Sequence, residues 1–65
     1  MLREFKDVTL TRKNSNQVWV VTGTFNTDSY ELRLEYIHGD VSTDSDQRAL
    51  EEEVKKWLKS KKWLD

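Results

Sequence analysis

The chain has 65 residues, enough for one small domain, and a domain this short buries only about 60% of its unfolded surface. It contains no cysteine, which excludes a disulfide framework and a thiolate metal site. A net charge of −1 gives the whole molecule no strong attraction to nucleic acid or anionic membranes. Because no stretch approaches the roughly 20 apolar residues that span a bilayer and no secretory signal is visible, we expect a cytoplasmic protein.

Three segments rich in β-branched and aromatic residues come first, at about 4–12, 17–25 and 30–38. Residues 13–16 and 26–29 have turn composition, so the three segments predict an antiparallel meander with the second strand in the centre. After Gly39 the apolar period becomes helical, and a stripe of Leu50, Val54, Trp57 and Leu58 predicts a helix over about 45–63, capped by Asp44 or Ser45. The sequence therefore predicts one compact α+β domain spanning 1–65, with order βββα and the helix packed on one face of the sheet.

The positions of the turns predict which side of each strand faces the helix. If Arg12 opposes Gln17 and Phe25 opposes Tyr30, the two hairpins place the same side of the central strand inward. Gly23 lies on this side, where it either permits close approach of the helix or marks a bulge. The predicted core side of the sheet consists of Val8, Leu10, Trp19, Val21, Phe25, Tyr30, Leu32, Leu34 and Tyr36.

The other side of the sheet, which we call the open face, is the candidate for binding a protein partner or a second copy of the chain. We expect such an interaction module to use the open face or an edge strand, with self-association giving a homodimer. Trp63 lies off the helical stripe, so it either covers a sheet edge or acts as an exposed anchor. The expected partner-binding residues are Thr9, Thr11, Val18, Val20, Arg33, Glu35, Ile37 and Trp63, with Phe5 and Asp7 at the end of the face.

Nucleic-acid binding is the alternative function. Basic side chains interleaved with tryptophan can bind phosphates and stack on bases. The same lysines also complement the negative end of the helix dipole, which explains them without any ligand. The candidate residues for this alternative are Lys55, Lys59, Lys61, Lys62 and Trp63. Binding of DNA through the open face is disfavoured, because Arg33 is the only base predicted there.

Catalytic and metal-binding patterns are weak. His38 is the only histidine and has no cysteine to join it. The segment from Asp40 to Asp46 has some oxygen spacings of a calcium loop, but Ser45 stands where that loop requires glycine. No hydroxyl is framed as a nucleophile. We therefore expect a non-enzymatic protein with no metal, no cofactor and no small-molecule substrate.

Overall fold

The computed structural model describes residues 1–64 and shows three strands followed by one helix. The strands are β1 (Leu2–Thr11), β2 (Val18–Asn26) and β3 (Leu32–His38), and the helix is α1 (Asp44–Ser60). The strands form one antiparallel sheet in the order β1-β2-β3. The predicted α+β class and the βββα order are confirmed.

The register of the first hairpin is the one predicted from its turn. Leu10 pairs with Trp19 and Val8 pairs with Val21. The amide of Arg12 donates to the carbonyl of Gln17 at 2.9 Å, which closes the turn. A short polar turn fixes which residues pair across the hairpin. This register then determines which side chains face the helix.

The second hairpin is shifted by two residues, so the predicted pairing of Phe25 with Tyr30 is wrong. Phe25 pairs with Leu32 instead. The side-chain oxygen of Asn26 accepts the amides of Asp28 and Ser29, at 2.8 and 3.2 Å, and so builds the turn. Tyr30 is taken into the turn with a left-handed φ of 59°, and its side chain is exposed rather than in the core.

Both neighbours of β2 bulge where they pass Thr22 and Gly23. In β3, Leu34 pairs with Gly23 while Tyr36 pairs with Thr22, so one residue is extra. In β1 the register shifts between Phe5 and Val8. A Cβ on Gly23 would collide with the backbone of β3 and lie 3.1 Å from the ring of Phe5, so glycine is required where the strands approach this closely.

The predicted position of Phe5 is wrong because β1 contains a bulge. An extra residue reverses the alternation beyond it, so Phe5 lies in the core and not at the end of the open face. Asp7 adopts a φ of 52° at the bulge, and its amide donates to the hydroxyl of Thr22 at 3.1 Å. The ring of Phe5 packs against Trp57 of the helix, with 5.3 Å between centroids.

The helix begins one residue before the predicted start, and Thr43 is its cap instead of Asp44 or Ser45. The Thr43 hydroxyl accepts the amide of Asp46 at 3.0 Å, and the Asp46 carboxylate accepts the amide of Thr43 at 3.4 Å. Arg12, just after β1, donates to the same carboxylate at 2.6 Å. This ion pair ties the start of the helix to the end of the first strand.

The connection between β3 and the helix crosses the most buried tryptophan. Trp19 is 0% exposed, and its indole nitrogen donates to the carbonyl of Asp40 at 2.8 Å. Gly39 has a φ of 134°, and a Cβ there would lie 2.7 Å from the Trp19 ring. Only glycine satisfies both requirements. The core on this side of the sheet consists of Phe5, Leu10, Trp19, Val21, Phe25, Leu50, Val54 and Leu58.

Candidate functional site

The open face is formed mainly by the outward residues of the central strand. Val20 pairs with Thr9, and Val18 pairs with Thr11, as the sequence predicts. Val18 is 46% exposed, and Val20 is half-buried between its neighbours. These four side chains form an apolar centre with a hydroxyl rim at one end of the sheet.

Ile37 is not on the open face, so its predicted place among the partner-binding residues is wrong. It pairs with Val21 and packs against the core on the helix side. The extra residue in β3 turns Tyr36 outward in its place, and Tyr36 is 59% exposed beside Thr22. The structure thus moves Tyr36 from the predicted core to the open face. Gly23 was the signal for this exchange, since it marks the bulge.

Arg33 and Glu35 lie on the open face toward its other end. Arg33 pairs with Thr24, and Glu35 lines a shallow depression with Thr22 and Thr24. The guanidinium of Arg33 lies 3.7 Å from the carboxylate of Glu31, and both side chains are largely exposed. An exposed pair at this distance is weak, so Arg33 can bind another carboxylate at little cost.

A second open feature lies between β3 and the helix. The helix runs closer to β1 than to β3, which leaves the inward side chains of β3 only half covered. The result is a groove of about 230 Å³, which we call the β3 groove. It is lined by Leu34, Ile37, Val41, Gln47, Leu50 and Glu51.

Trp63 folds back as part of the helix end. Lys62 adopts a left-handed φ of 62°, and the amides of Lys62 and Trp63 donate to the carbonyls of Lys59 and Leu58, each at 3.0 Å. These two bonds form a Schellman motif, which ends the helix at Ser60 and not near residue 63. The half-buried Trp63 ring then packs edge-on against Trp57 at 5.3 Å.

The lysines of the nucleic-acid alternative surround this end of the helix. Lys55, Lys59, Lys61 and Lys62 are exposed. The ammonium of Lys61 lies 5.6 Å from the centre of the Trp57 ring, a cation–π distance. One tryptophan and one lysine thus already have partners within the fold, and nucleic-acid binding by this end stays a prediction.

Asp46 is the group with a clearly shifted titration among the described residues. Hydrogen bonding with Thr43, helped by Gln17 and the charge of Arg12, lowers the pKa of Asp46, although burial opposes the shift. All its partners belong to the helix cap and the neighbouring strand end, so its role is structural. In the segment from Asp40 to Asp46, the side chain of Asp40 accepts the amide of Ser42 at 3.0 Å. Within residues 1–64 no cluster of three or more potential metal ligands occurs.

No protein family, curated protein or solved structure matches the chain. In the part of the chain that the structure describes, no helix is both long and apolar enough to cross a membrane. The candidate site therefore rests on the geometry of the open face and the edge of β3.

Proposed function

We propose that this chain is a non-enzymatic protein-interaction module, which binds a protein partner or its own copy through the open face and the edge strand β3. The observation that carries the proposal is the position of the helix. It covers one side of the sheet and lies nearest β1, so the outer side of β2 and the edge of β3 have no covering layer among residues 1–64.

The chemistry of the open face supports a protein partner. Val18 and Val20 supply an apolar centre, and Tyr36 supplies an exposed aromatic ring. Tyrosine is enriched at protein interfaces because a large apolar ring and a hydroxyl act together. The hydroxyls of Thr9, Thr11, Thr22 and Thr24 border this centre and can donate or accept hydrogen bonds.

The absence of enzymatic activity and a cytoplasmic location are parts of the same proposal. General acid–base catalysis needs a sheltered group with a tuned pKa. The shifted carboxylate of Asp46 is engaged by Arg12 and Thr43, which leaves it no free role in proton transfer. A chain without cysteine suits a reducing compartment such as the cytoplasm.

Site-specific photo-crosslinking in the native cell tests the proposal. A photoreactive phenylalanine replaces Tyr36, and in a control chain it replaces Glu52, which is exposed on the helix. We expect crosslinks to a protein, another copy included, from position 36 and not from position 52. Val18→Glu should remove them, because it puts a charge into the apolar part of the face. Since the wild-type side chain is 46% exposed, we expect the variant to fold. Equal labelling from both positions, or labelling that ignores Val18→Glu, would contradict the proposal.

A further inference from the structure

The free edge of β3 has backbone groups available for another strand. The amide of Asn26 donates to the carbonyl of Glu31 at 2.9 Å, and these two residues continue the register in which Phe25 pairs with Leu32, so Glu31 directs its carbonyl toward β2. Hydrogen-bonded and non-hydrogen-bonded pairs alternate along antiparallel strands. Leu32 and Leu34 therefore direct their amides and carbonyls away from β2, toward the edge.

The side chains of β3 are sorted by chemistry on its two sides. Leu32, Leu34 and Ile37 lie on the helix side, and each is half-buried against the core. Arg33 and Glu35 lie on the open face with opposite charges on either side of Leu34. A strand with this pattern is complementary to itself when it runs antiparallel to its own copy.

We propose, on the basis of the function proposed above, that two copies of this chain pair through antiparallel β3 strands about a two-fold axis at Leu34. In this register Arg33 of each copy faces Glu35 of the other. Because the bulge at Glu35 adds one residue, Leu32 then faces Ile37 of the second copy on the helix side. The dimer is a continuous six-stranded sheet with a self-complementary interface.

The pairing also covers the β3 groove. Leu34 lines the groove together with Ile37 and Leu50, and the two-fold axis brings the grooves of the two copies together. Their half-covered apolar side chains then gain neighbours. An unrelated extended peptide could use the same edge, but the Arg33 and Glu35 charges match a second copy without any further requirement.

The opposite edge of the sheet is less suited to pairing. β1 carries Lys6 and Asp7 at its bulge, and the left-handed backbone of Asp7 kinks the strand in the middle. Lysine and kinks are devices that keep an edge strand from pairing.

One strand pair gives a small interface, below about 1,200 Å² in total, so we expect a weak dimer with a Kd between about 10 μM and 1 mM.

Charge exchange between Arg33 and Glu35 tests the pairing and its register. The variants are Arg33→Glu and Glu35→Arg, both at exposed positions, and their mass is measured by sedimentation equilibrium up to about 1 mM. Each variant alone places like charges opposite each other twice per dimer, which should raise the Kd about tenfold. Mixed in equal amounts, the two variants place opposite charges together again and should form a heterodimer. Glu4→Arg, in the same cross-strand row but on β1, is the matched control and should associate like the wild type.

A wild-type chain that stays monomeric over the whole range overturns the inference. Single variants that associate as well as the wild type, or a mixture no better than its parts, overturn the register. The function proposed above fails separately, since crosslinks from position 36 to a different protein would keep that function while this dimer is lost.

Discussion

Replacing Phe5 with alanine tests the bulge in β1. This bulge determines which side of the sheet the side chains of residues 2–5 face. With regular alternation Phe5 would lie on the open face and its loss would cost little. In the structure it is 6% exposed, and its ring lies 5.3 Å from that of Trp57. The two arrangements therefore predict very different losses of stability.

The expected loss follows from burial and ring contact. Removal of a buried phenylalanine ring costs about 3–5 kcal/mol, of which about 0.5–1.5 kcal/mol is the aromatic pair. Because its partner Trp57 is only half-buried, so that the site can relax, we expect about 3 kcal/mol, the lower end of this range. In a domain of this size that lowers the Tm by about 12–24 °C.

Urea unfolding followed by tryptophan fluorescence measures this loss, since Trp19 is fully buried. A small domain without disulfides has about 3–5 kcal/mol of stability in total, so Phe5→Leu should be measured beside Phe5→Ala, with an expected loss of about 1 kcal/mol. Val18→Ala on the open face is the control and should cost less than about 0.5 kcal/mol. If Phe5→Ala costs no more than Val18→Ala, Phe5 is not in the core and the bulge is wrong.

Three further changes test other parts of the structure. Gly39→Ala should cost about 2 kcal/mol in thermal unfolding, because its φ of 134° and its contact with the Trp19 ring both exclude a Cβ; an unchanged Tm would contradict this. The lowered pKa of Asp46 stabilises the fold above the unfolded pKa of about 3.9, and this stability is lost as the pH falls through the folded pKa. Asp46→Asn should therefore flatten the fall in urea midpoint below about pH 4, and an equal fall in both proteins would count against it. Lys59→Gln combined with Lys62→Gln should leave retention on DNA columns unchanged and weak at about 150 mM salt, whereas strong, salt-sensitive retention that the variant loses would favour the nucleic-acid alternative.

The first hairpin and the helix stripe could be predicted because short-range signals determine them. The polar turn around Asn14 fixes the pairing of Leu10 with Trp19. The spacing of Leu50, Val54 and Leu58 fixes the buried side of the helix, and all three are buried. In each case the local pattern and the tertiary packing require the same arrangement.

The register of the second hairpin could not be predicted, because the side chain of an asparagine and a left-handed backbone angle at a non-glycine residue build its turn. Asn26 accepts two amides of the turn, and Tyr30 takes a left-handed φ that glycine normally supplies. The helix end has the same origin, since Lys62 occupies the left-handed position where glycine would have been a signal. Composition therefore predicts a turn at 26–29, but it shows neither that Tyr30 belongs to this turn nor that the helix ends at Ser60.

The sequence predicts the open face correctly between the first turn and the two bulges, but not on the far side of the bulges. Val18 and Val20 lie outward because no irregularity separates them from the first turn. Gly23 indicates an irregularity, but not which neighbouring strand gains a residue. That one residue places Ile37 inward and Tyr36 outward, and so adds the most exposed aromatic side chain of the open face.

Hydrogen exchange of the wild-type protein at about 20 μM and about 1 mM tests the central claim, association through the edge of β3, most directly. The free-edge amides of Leu32 and Leu34 should exchange more slowly at the higher concentration, while free-edge amides of β1 should not change. Equal exchange of the β3 amides at both concentrations, or slowing confined to β1, would contradict the account.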